Sequence, residues 1–341
     1  MGFCIFNPMS ESHFHFTTEK PLRWGVIGCG SVAEKKSVPA YLNTPGFEVS
    51  MVMRRNLDKA REYAERHGIP FWTDNADEVI AHPGIDAIYI ATPPDSHKQY
   101  ALKVAEAGKP CCIEKPMAPT YQDSVEIFQA FQTKNIPLFI AYYRRSLPRF
   151  LKIKQWLEEG LIGTVEHIHW KKTKPPNDMD VSGTYNWRTD HNIAKGGYFD
   201  DLASHGLDLF AFLLGDIKTA EGRAQNKLGL YTAYDSVTAT WLHENGATGS
   251  GLWDFGTKDR EDKVEILGSV GKINFSVLDE APLVLENNVG VQTIEIPNPE
   301  HIQEFHVANI KNHLLGKGLH PSTGKTGLHT SWVMDNILGT I

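Results

Sequence analysis

Residues 24–33 read WGVIGCGSVA, and this stretch decides the fold. A short apolar run ends at its first turn glycine, and the next residues match G-x-G-x-x-G/A. In such a turn the first glycine permits the tight bend, the second lets the backbone approach a diphosphate, and the last position keeps helix and strand close. Amide groups at the following helix start then face the phosphates. The sequence therefore predicts a dinucleotide-binding turn formed by Gly28, Cys29, Gly30, Ser31, Val32 and Ala33.

Strand and helix patterns alternate through the first 142 residues. Strands are predicted at 23–27, 47–53, 86–91, 110–113 and 138–141, and helices at 57–67, 96–107 and 120–134. Strands that alternate with helices of this length imply parallel pairing with helical crossovers. Continuous apolar strands also fit a sheet that is covered on both faces. We expect an α/β, doubly wound Rossmann domain over 21–142, preceded by a flexible leader over 1–20.

The pattern changes after about residue 142. Consecutive strands with short turns imply an α+β domain with a large, mainly antiparallel open sheet. We assign 143–341 to substrate binding and oligomerisation. The predicted strands cover 163–174, 217–227, 234–243, 247–256, 261–268, 271–277 and 290–297, with helices at 147–159, 199–214, 301–315 and 325–339 and an irregular loop near 173–195.

Three tryptophans, Trp170, Trp241 and Trp253, lie in these predicted strands. No second covering layer of helices is evident, so we expect an exposed apolar face that a partner covers. The sequence therefore predicts a homodimer or homotetramer assembled through this sheet.

Composition excludes several function classes. The chain has 341 residues and a net charge of −7, and no run of Lys and Arg is long enough to form a nucleic-acid stripe. No apolar stretch approaches the ~20 residues that span a bilayer. Four cysteines without CxxC spacing are typical of free thiols in a reducing cytoplasm. His167 and His169 share a strand face like a metal pair, but no third ligand is evident, so we expect no metal.

The end of the second predicted strand bears on cofactor choice. An acid here would hold the ribose hydroxyls of NAD, but Arg54 and Arg55 stand in its place. Guanidinium groups suit a 2′-phosphate. We therefore favour NADP(H), with NAD(H) as the alternative if these are simply exposed strand-end arginines.

Four segments together resemble the Gfo/Idh/MocA family, the glucose–fructose oxidoreductase and inositol dehydrogenase group. The resemblance covers nearly the whole chain from residue 21. It rests on 24–33, on ATPPDSH at 91–97, on EKP at 114–116, and on the spaced set Trp187, Arg188, Gly196, Gly197, Asp201, His205 and Asp208. Ala203 departs from the pattern, since many members have a glycine there.

The resemblance implies a nicotinamide-dependent oxidoreductase with a catalytic Lys115 acting with His205 and Asp201. Asp201 and His205 are four residues apart on a predicted helix, so they share a face. A carboxylate beside an imidazole fixes its tautomer and raises its basicity. In reduction, Lys115 would stabilise the negative charge on the carbonyl oxygen and His205 would donate the proton. The resemblance also suggests a cis peptide between Lys115 and Pro116.

Further candidates surround this set. For the cofactor they are Thr92, Pro93, Pro94, His97 and Glu114, besides Lys115, and for the substrate they are Tyr143, Arg144, Trp187 and Arg188, besides Asp201 and His205. His97 could equally be a surface residue at a helix start, and the substrate candidates could serve packing or surface charge.

The expected reaction transfers hydride between nicotinamide and a hydroxyl or carbonyl group of a sugar, polyol or related cyclic compound. A cofactor-binding regulatory protein of the same family is the alternative, although a sensor has no need of Lys115, Asp201 and His205 together. An enzyme that keeps its cofactor through oxidation and re-reduction is a third possibility.

Overall fold

The computed structural model describes residues 16, 19–30 and 33–341. Most of the predicted leader lies outside these residues. The first sheet has six parallel strands in the order β3-β2-β1-β4-β5-β6. These strands are β1 (Leu22–Ile27), β2 (Phe47–Met53), β3 (Phe71–Thr73), β4 (Ala87–Ile90), β5 (Cys111–Ile113) and β6 (Leu138–Ile140).

Helices cover both faces of this sheet. They are α1 (Val38–Asn43), α2 (Leu57–His67), α3 (Ala76–Ala81), α4 (His97–Glu106) and α5 (Tyr121–Thr133). Separate apolar clusters fill the two layers, which confirms the predicted doubly wound sheet. Strand β3 and helix α3 were not predicted. The strand has only three residues, two of them exposed, and the Asn75 side chain caps a helix of only six residues.

The second sheet has eight strands in the order β14-β13-β12-β11-β7-β10-β9-β8. They are β7 (Val165–Thr173), β8 (Ile217–Gln225), β9 (Ser236–His243), β10 (Thr248–Asp254), β11 (Glu261–Gly268), β12 (Gly271–Phe275), β13 (Leu283–Asn287) and β14 (Gly290–Ile294). All neighbours pair antiparallel except β7 and β10, so the mainly antiparallel sheet is confirmed. The prediction missed β13, and it missed a short helix, α7 (Asp178–Ser182), inside the expected irregular loop.

The expected exposed apolar face is wrong. Helices α6 (Pro148–Glu158) and α8 (Tyr198–Leu214) contribute apolar side chains to the core of this sheet, and Trp170, Trp241 and Trp253 are buried in it. The Phe210 ring lies 5.6 Å from Trp170 and 6.1 Å from Trp241. Side chains alternate along each strand, so the opposite face carries polar residues, including the exposed His169 and Thr240.

Two C-terminal helices connect the sheets. Helix α9 (Glu304–Leu314) contributes to the core of the first sheet, and α10 (Gly324–Leu338) packs against α5, α8 and β8. The Ser124 hydroxyl donates to Ser331 at 3.0 Å, and Asp335 accepts from the Tyr121 amide at 2.9 Å. The carboxyl ends of the parallel strands therefore face α8 across a fixed cleft. Within the described part of the chain, no helix is long and apolar enough to span a membrane.

Candidate active site

The glycine turn after β1 has the shape that a diphosphate requires. Gly28 adopts a φ of +100°, and a Cβ here would lie 2.8 Å from the Thr92 Cγ2 atom, so only glycine fits without strain. A Cβ on Gly30 would meet no atom within 4 Å. This open space next to the backbone fits the approach of a phosphate. Ala33 is buried, whereas Ser31 and Val32 lie outside the described residues.

Arg54 lies directly after β2, beside this turn. Its positive charge reaches Cys29: burial raises the pKa of that thiol to about 11, and Arg54 partly opposes the shift. Arg66 is also nearby but is ion-paired with Glu34 and Glu62. The Arg54 guanidinium, in contrast, makes no ion pair with any residue that the structure describes. It is therefore a cation available to an anionic ligand, while the neighbouring Arg55 is exposed.

Lys115 follows β5 and crosses the cleft to α8. Its Nζ atom donates to the Asp201 carboxylate at 2.5 Å and to the Asp201 backbone oxygen at 2.8 Å. Only a tenth of the lysine side chain is exposed. The Lys115–Pro116 peptide is cis, as predicted. The ammonium group is thus held at one place in the cleft.

No hydrogen bond or ion pair joins Asp201 to His205, which corrects the expected carboxylate–imidazole pair. Its second carboxylate oxygen accepts from Arg188 Nε at 2.9 Å. Burial alone would raise the pKa of this carboxyl, but the charges of Lys115 and Arg188 hold it well below its ordinary value. Although Asp201 and His205 lie on one helix, the two cations attract the carboxylate away from the imidazole. Asp201 therefore positions Lys115 and Arg188.

His205 is 5% exposed, and its Nδ1 atom has no hydrogen-bond partner among the described residues. The Tyr143 ring lies 5.2 Å from its ring in an edge-to-face arrangement. Burial, followed by the charges of Arg144, Lys115 and Lys36, lowers the pKa of His205 well below its ordinary value. The imidazole is therefore neutral at pH 7, contrary to the raised basicity expected from a carboxylate neighbour.

Asp208, one turn beyond His205, has a structural role. It accepts from Arg145 Nε at 2.8 Å, from Arg145 Nη2 at 2.9 Å and from the Thr330 hydroxyl at 3.1 Å. The ion pair is almost fully buried. Because Thr330 belongs to α10, these bonds fix α8 against the C-terminal helix beneath the cleft.

His97 anchors the loop after β4 through contacts of its ring with backbone carbonyls. This residue is fully buried, with Nε2 at 2.8 Å from the Thr92 carbonyl and Nδ1 at 3.1 Å from the Pro116 carbonyl. The alternative of a surface residue is therefore wrong, and the ring connects the loop of Thr92, Pro93 and Pro94 to the segment after Lys115.

Glu114 is also buried, beside Lys115. Its Oε1 atom accepts from the Tyr89 hydroxyl and from Gln303 Nε2, both at 2.6 Å. Gln303 immediately precedes α9 and was not predicted, because nothing in its local sequence links it to β5. The carboxylate thus connects the carboxyl end of β5 to the C-terminal helices.

The substrate candidates lie on two sides of Lys115. Trp187 and Arg188 share a short 3₁₀ turn, with the guanidinium 4.3 Å from the indole centroid. Tyr143 and Arg144 begin another 3₁₀ turn after β6.

Lys36 was not predicted; its charge reaches His205 because residues 33–37 form a π-helical turn, which sequence periodicity does not reveal. His167 and His169 instead hydrogen-bond Thr248 and Ser250 on β10.

Comparisons with known proteins agree with this architecture. Residues 22–142 match the family described as "Oxidoreductase family, NAD-binding Rossmann fold", and residues 150–274 match the "GFO/IDH/MocA C-terminal domain". The chain belongs to the Gfo/Idh/MocA oxidoreductase family. The predicted family and a nicotinamide-dependent oxidoreductase are thereby confirmed.

Relatives cover nearly the full length of this Gfo/Idh/MocA member. An oxidoreductase of Formosa agariphila is 35% identical over 94% of this chain and 100% of its own. The 1,5-anhydro-D-fructose reductase of Ensifer adhaerens is 27% identical over 90% and 92%. A levoglucosan dehydrogenase structure in complex with NADH superposes with a TM-score of 0.85 at 24% identity, covering 93% of this chain and 96% of that one. This last likeness shows the shared fold.

Proposed function

We propose that this protein transfers hydride between a nicotinamide cofactor and a hydroxyl or carbonyl group of a sugar, polyol or related cyclic substrate. The observation that carries the proposal is the position of the Lys115 ammonium, which Asp201 holds in the same cleft as the buried His205. Relatives named as a 1,5-anhydro-D-fructose reductase and a levoglucosan dehydrogenase support a carbohydrate substrate. Hydride exchange is the chemistry that a nicotinamide supplies when bound at the glycine turn.

Lys115 would stabilise the substrate oxygen. An alkoxide develops on this oxygen when a hydroxyl is oxidised or a carbonyl is reduced, and a preoriented ammonium in a water-poor site stabilises it strongly. Two bonds to Asp201 already fix the ammonium, so little reorganisation is needed at the moment of reaction. Arg188 shares the carboxylate and lines the same side.

His205 would exchange the proton. A neutral imidazole accepts a proton from a hydroxyl, so the structure supports alcohol oxidation at neutral pH. Because the pKa of His205 lies below its ordinary value, oxidation should persist at neutral pH and fall only as the pH drops through this lowered pKa. Reduction needs the protonated imidazole, so the rate of reduction should rise in the same acidic range.

Replacing the two residues should therefore have different effects. Lys115→Ala should lower turnover by about 10²-fold or more, by analogy with lost oxyanion donors, with little change in NADP(H) affinity. His205→Ala should lower it by about 10²–10⁴-fold and remove the acidic fall in the pH profile of oxidation. Absorbance of the reduced nicotinamide, measured while sugars, polyols and cyclic diols are screened, gives turnover, and fluorescence gives cofactor affinity.

Lys59→Ala is the matched control, because Lys59 is exposed on α2. It should retain parental turnover. Near-parental turnover in either active-site variant would show that the role assigned to that residue is wrong.

NADP(H) is the cofactor that we propose. Arg54 replaces the acid that NAD enzymes use for the ribose hydroxyls, and it makes no ion pair with the described residues. Arg54→Asp should weaken NADPH binding by roughly 1–3 kcal/mol through loss of a charge-assisted bond to the 2′-phosphate, with a much smaller effect on NADH. Arg61→Asp, an equal charge change on exposed α2, is the control. Equal affinity of the parent protein for NADPH and NADH would contradict this preference.

We also propose that residues 21–142 bind the cofactor and residues 143–341 bind the substrate and form a homodimer or homotetramer. The proposed interface is the second sheet, whose polar face carries exposed residues such as His169, Thr238 and Thr240. Burial of the tryptophans means that contacts through this face would be polar. Light scattering at micromolar concentration should give a dimer or tetramer, and a monomer would contradict the assembly.

A further inference from the structure

A cavity lies between the two sheets, beside the active site. Its volume is about 380 Å³. The π-helical turn 33–37 forms one wall, the segment 143–150 another, and residues 277–280 with 298–302 the third. The cavity is lined by four cationic side chains and two carboxylates, namely Lys35, Lys36, Arg144, Arg149, Glu280 and Glu300. Its lining is therefore predominantly positive.

Two of the cations are buried and form no ion pair with a carboxylate of the described residues. Arg144 is 7% exposed; its Nε donates to the Val277 carbonyl at 2.8 Å, and its Nη1 has no partner among the described residues. Arg149 is 2% exposed, donates to the carbonyls of Asp279 and Ala281, and leaves Nε unpartnered in that same part of the chain. Carbonyl oxygens satisfy hydrogen bonds but do not cancel charge.

Buried charges in proteins are normally paired, because burying an isolated ion costs several kcal/mol. The other two arginines of the cleft follow this rule, since Arg145 pairs with Asp208 and Arg188 with Asp201. Burial lowers the pKa of Arg149 and the neighbouring Arg144 lowers it further, while the charges of Glu280, Asp262 and Asp279 oppose the shift. The Glu280 carboxylate itself accepts from Asn298 Nδ2 at 2.8 Å. Arg144 and Arg149 are therefore the exceptions.

The two lysines add mobile positive charge at the mouth. Lys35 and Lys36 are exposed, and neither makes an ion pair with a residue in the described ranges. Planar guanidinium groups with nearby ammonium groups are the donor set that binds carboxylate and phosphate oxygens. A cavity of this size also lies within the range of small-molecule sites.

One aromatic side chain lies between the cavity and the proposed catalytic histidine. Tyr143 lines it, and the Tyr143 ring is 5.2 Å from the His205 ring. Arg144 packs its guanidinium 4.9 Å from the centroid of the same tyrosine ring. A substrate with its anionic group in the cavity would therefore extend past the Tyr143 ring to bring its reacting hydroxyl to His205 and Lys115.

We propose that this cavity is a subsite for an anionic group, carboxylate or phosphate, on the substrate, so that the protein acts on acidic sugars in preference to neutral ones. The proposal rests on the function proposed above and narrows it. Arg144 and Arg149 form the base of the subsite, and Lys35 and Lys36 contact the anion from the side of the glycine turn.

Three matched probes test the subsite: D-glucose, D-glucuronate and D-glucose 6-phosphate. Binding of each to the NADP⁺-loaded protein is measured by calorimetry, and turnover is followed separately by nicotinamide absorbance. At least one acidic probe should bind about 10-fold or more tightly than glucose, since hydrogen bonds to charged groups contribute about 1.5–3 kcal/mol each. Whichever of D-glucuronate and D-glucose 6-phosphate binds more tightly shows whether the subsite prefers a carboxylate or a phosphate.

Variants assign the preference to the cavity. Arg144→Gln and the double variant Lys35→Gln/Lys36→Gln should weaken binding of the acid much more than binding of glucose, so that most of the preference for the acid is lost. Lys59→Gln, an exposed lysine on α2, should leave both unchanged. Because Arg144 is buried, its variant is first checked by thermal unfolding; the two lysines are exposed, so the double variant tests the subsite even if Arg144→Gln is unstable.

Two results would overturn the subsite. The first is acidic probes that bind no better than glucose. The second is an acid preference that survives in the lysine double variant; weaker NADP⁺ binding in the same variant would then assign the lysines to the cofactor. Failure of the proposed oxidoreductase function has a different signature, namely acid-selective binding without absorbance change for any substrate.

Discussion

The ion pair between Lys115 and Asp201 is the interaction on which the active site depends. Lys115 comes from the end of a parallel strand and Asp201 from a helix that packs on the second sheet, so the bond crosses the cleft. Neither sheet can place the ammonium alone. The buried Arg145–Asp208 pair and Thr330 hold α8 in place from below, while His97 and Glu114 hold the loops of the first sheet. The reacting groups therefore lie between the two sheets, and buried hydrogen bonds hold the elements on each side.

Electrostatics divides the cleft into two regions. Around Asp201 the cations are paired, because one carboxylate accepts from both Lys115 and Arg188. Around Tyr143, Arg144 and Arg149 make no ion pair with the described residues. They donate to carbonyl oxygens, and Arg149 also donates to the Ser276 hydroxyl at 3.5 Å. His205 lies between these regions, and positive charge on both sides helps to keep its imidazole neutral. An anionic group on the substrate would pair with Arg144 and Arg149 as Asp201 pairs with Lys115 and Arg188. This pairing would fix the orientation of the substrate.

The sequence alone predicted the features that depend on local pattern. The Rossmann sheet and the glycine turn follow from short motifs and periodicity, whereas the cis peptide and the role of Lys115 were implied by the family resemblance. Contacts between distant segments did not follow. Spacing on α8 suggested that Asp201 would bind His205, but Lys115 and Arg188 attract it more strongly. The tryptophans suggested an open apolar face, but α8 covers them. Similarly, the hydrogen bonds from Arg149 to the Asp279 and Ala281 carbonyls join segments that only the tertiary fold brings together.

The most direct test of the central ion pair is a double-mutant cycle on kcat/KM with Lys115→Met, Asp201→Asn and the combined variant. If Asp201 acts by positioning Lys115, removing the lysine also removes the benefit of the carboxylate. The double variant should then be about as slow as Lys115→Met, with a coupling energy of about 1–3 kcal/mol. Losses that simply multiply would show that the two residues act independently and would contradict this account.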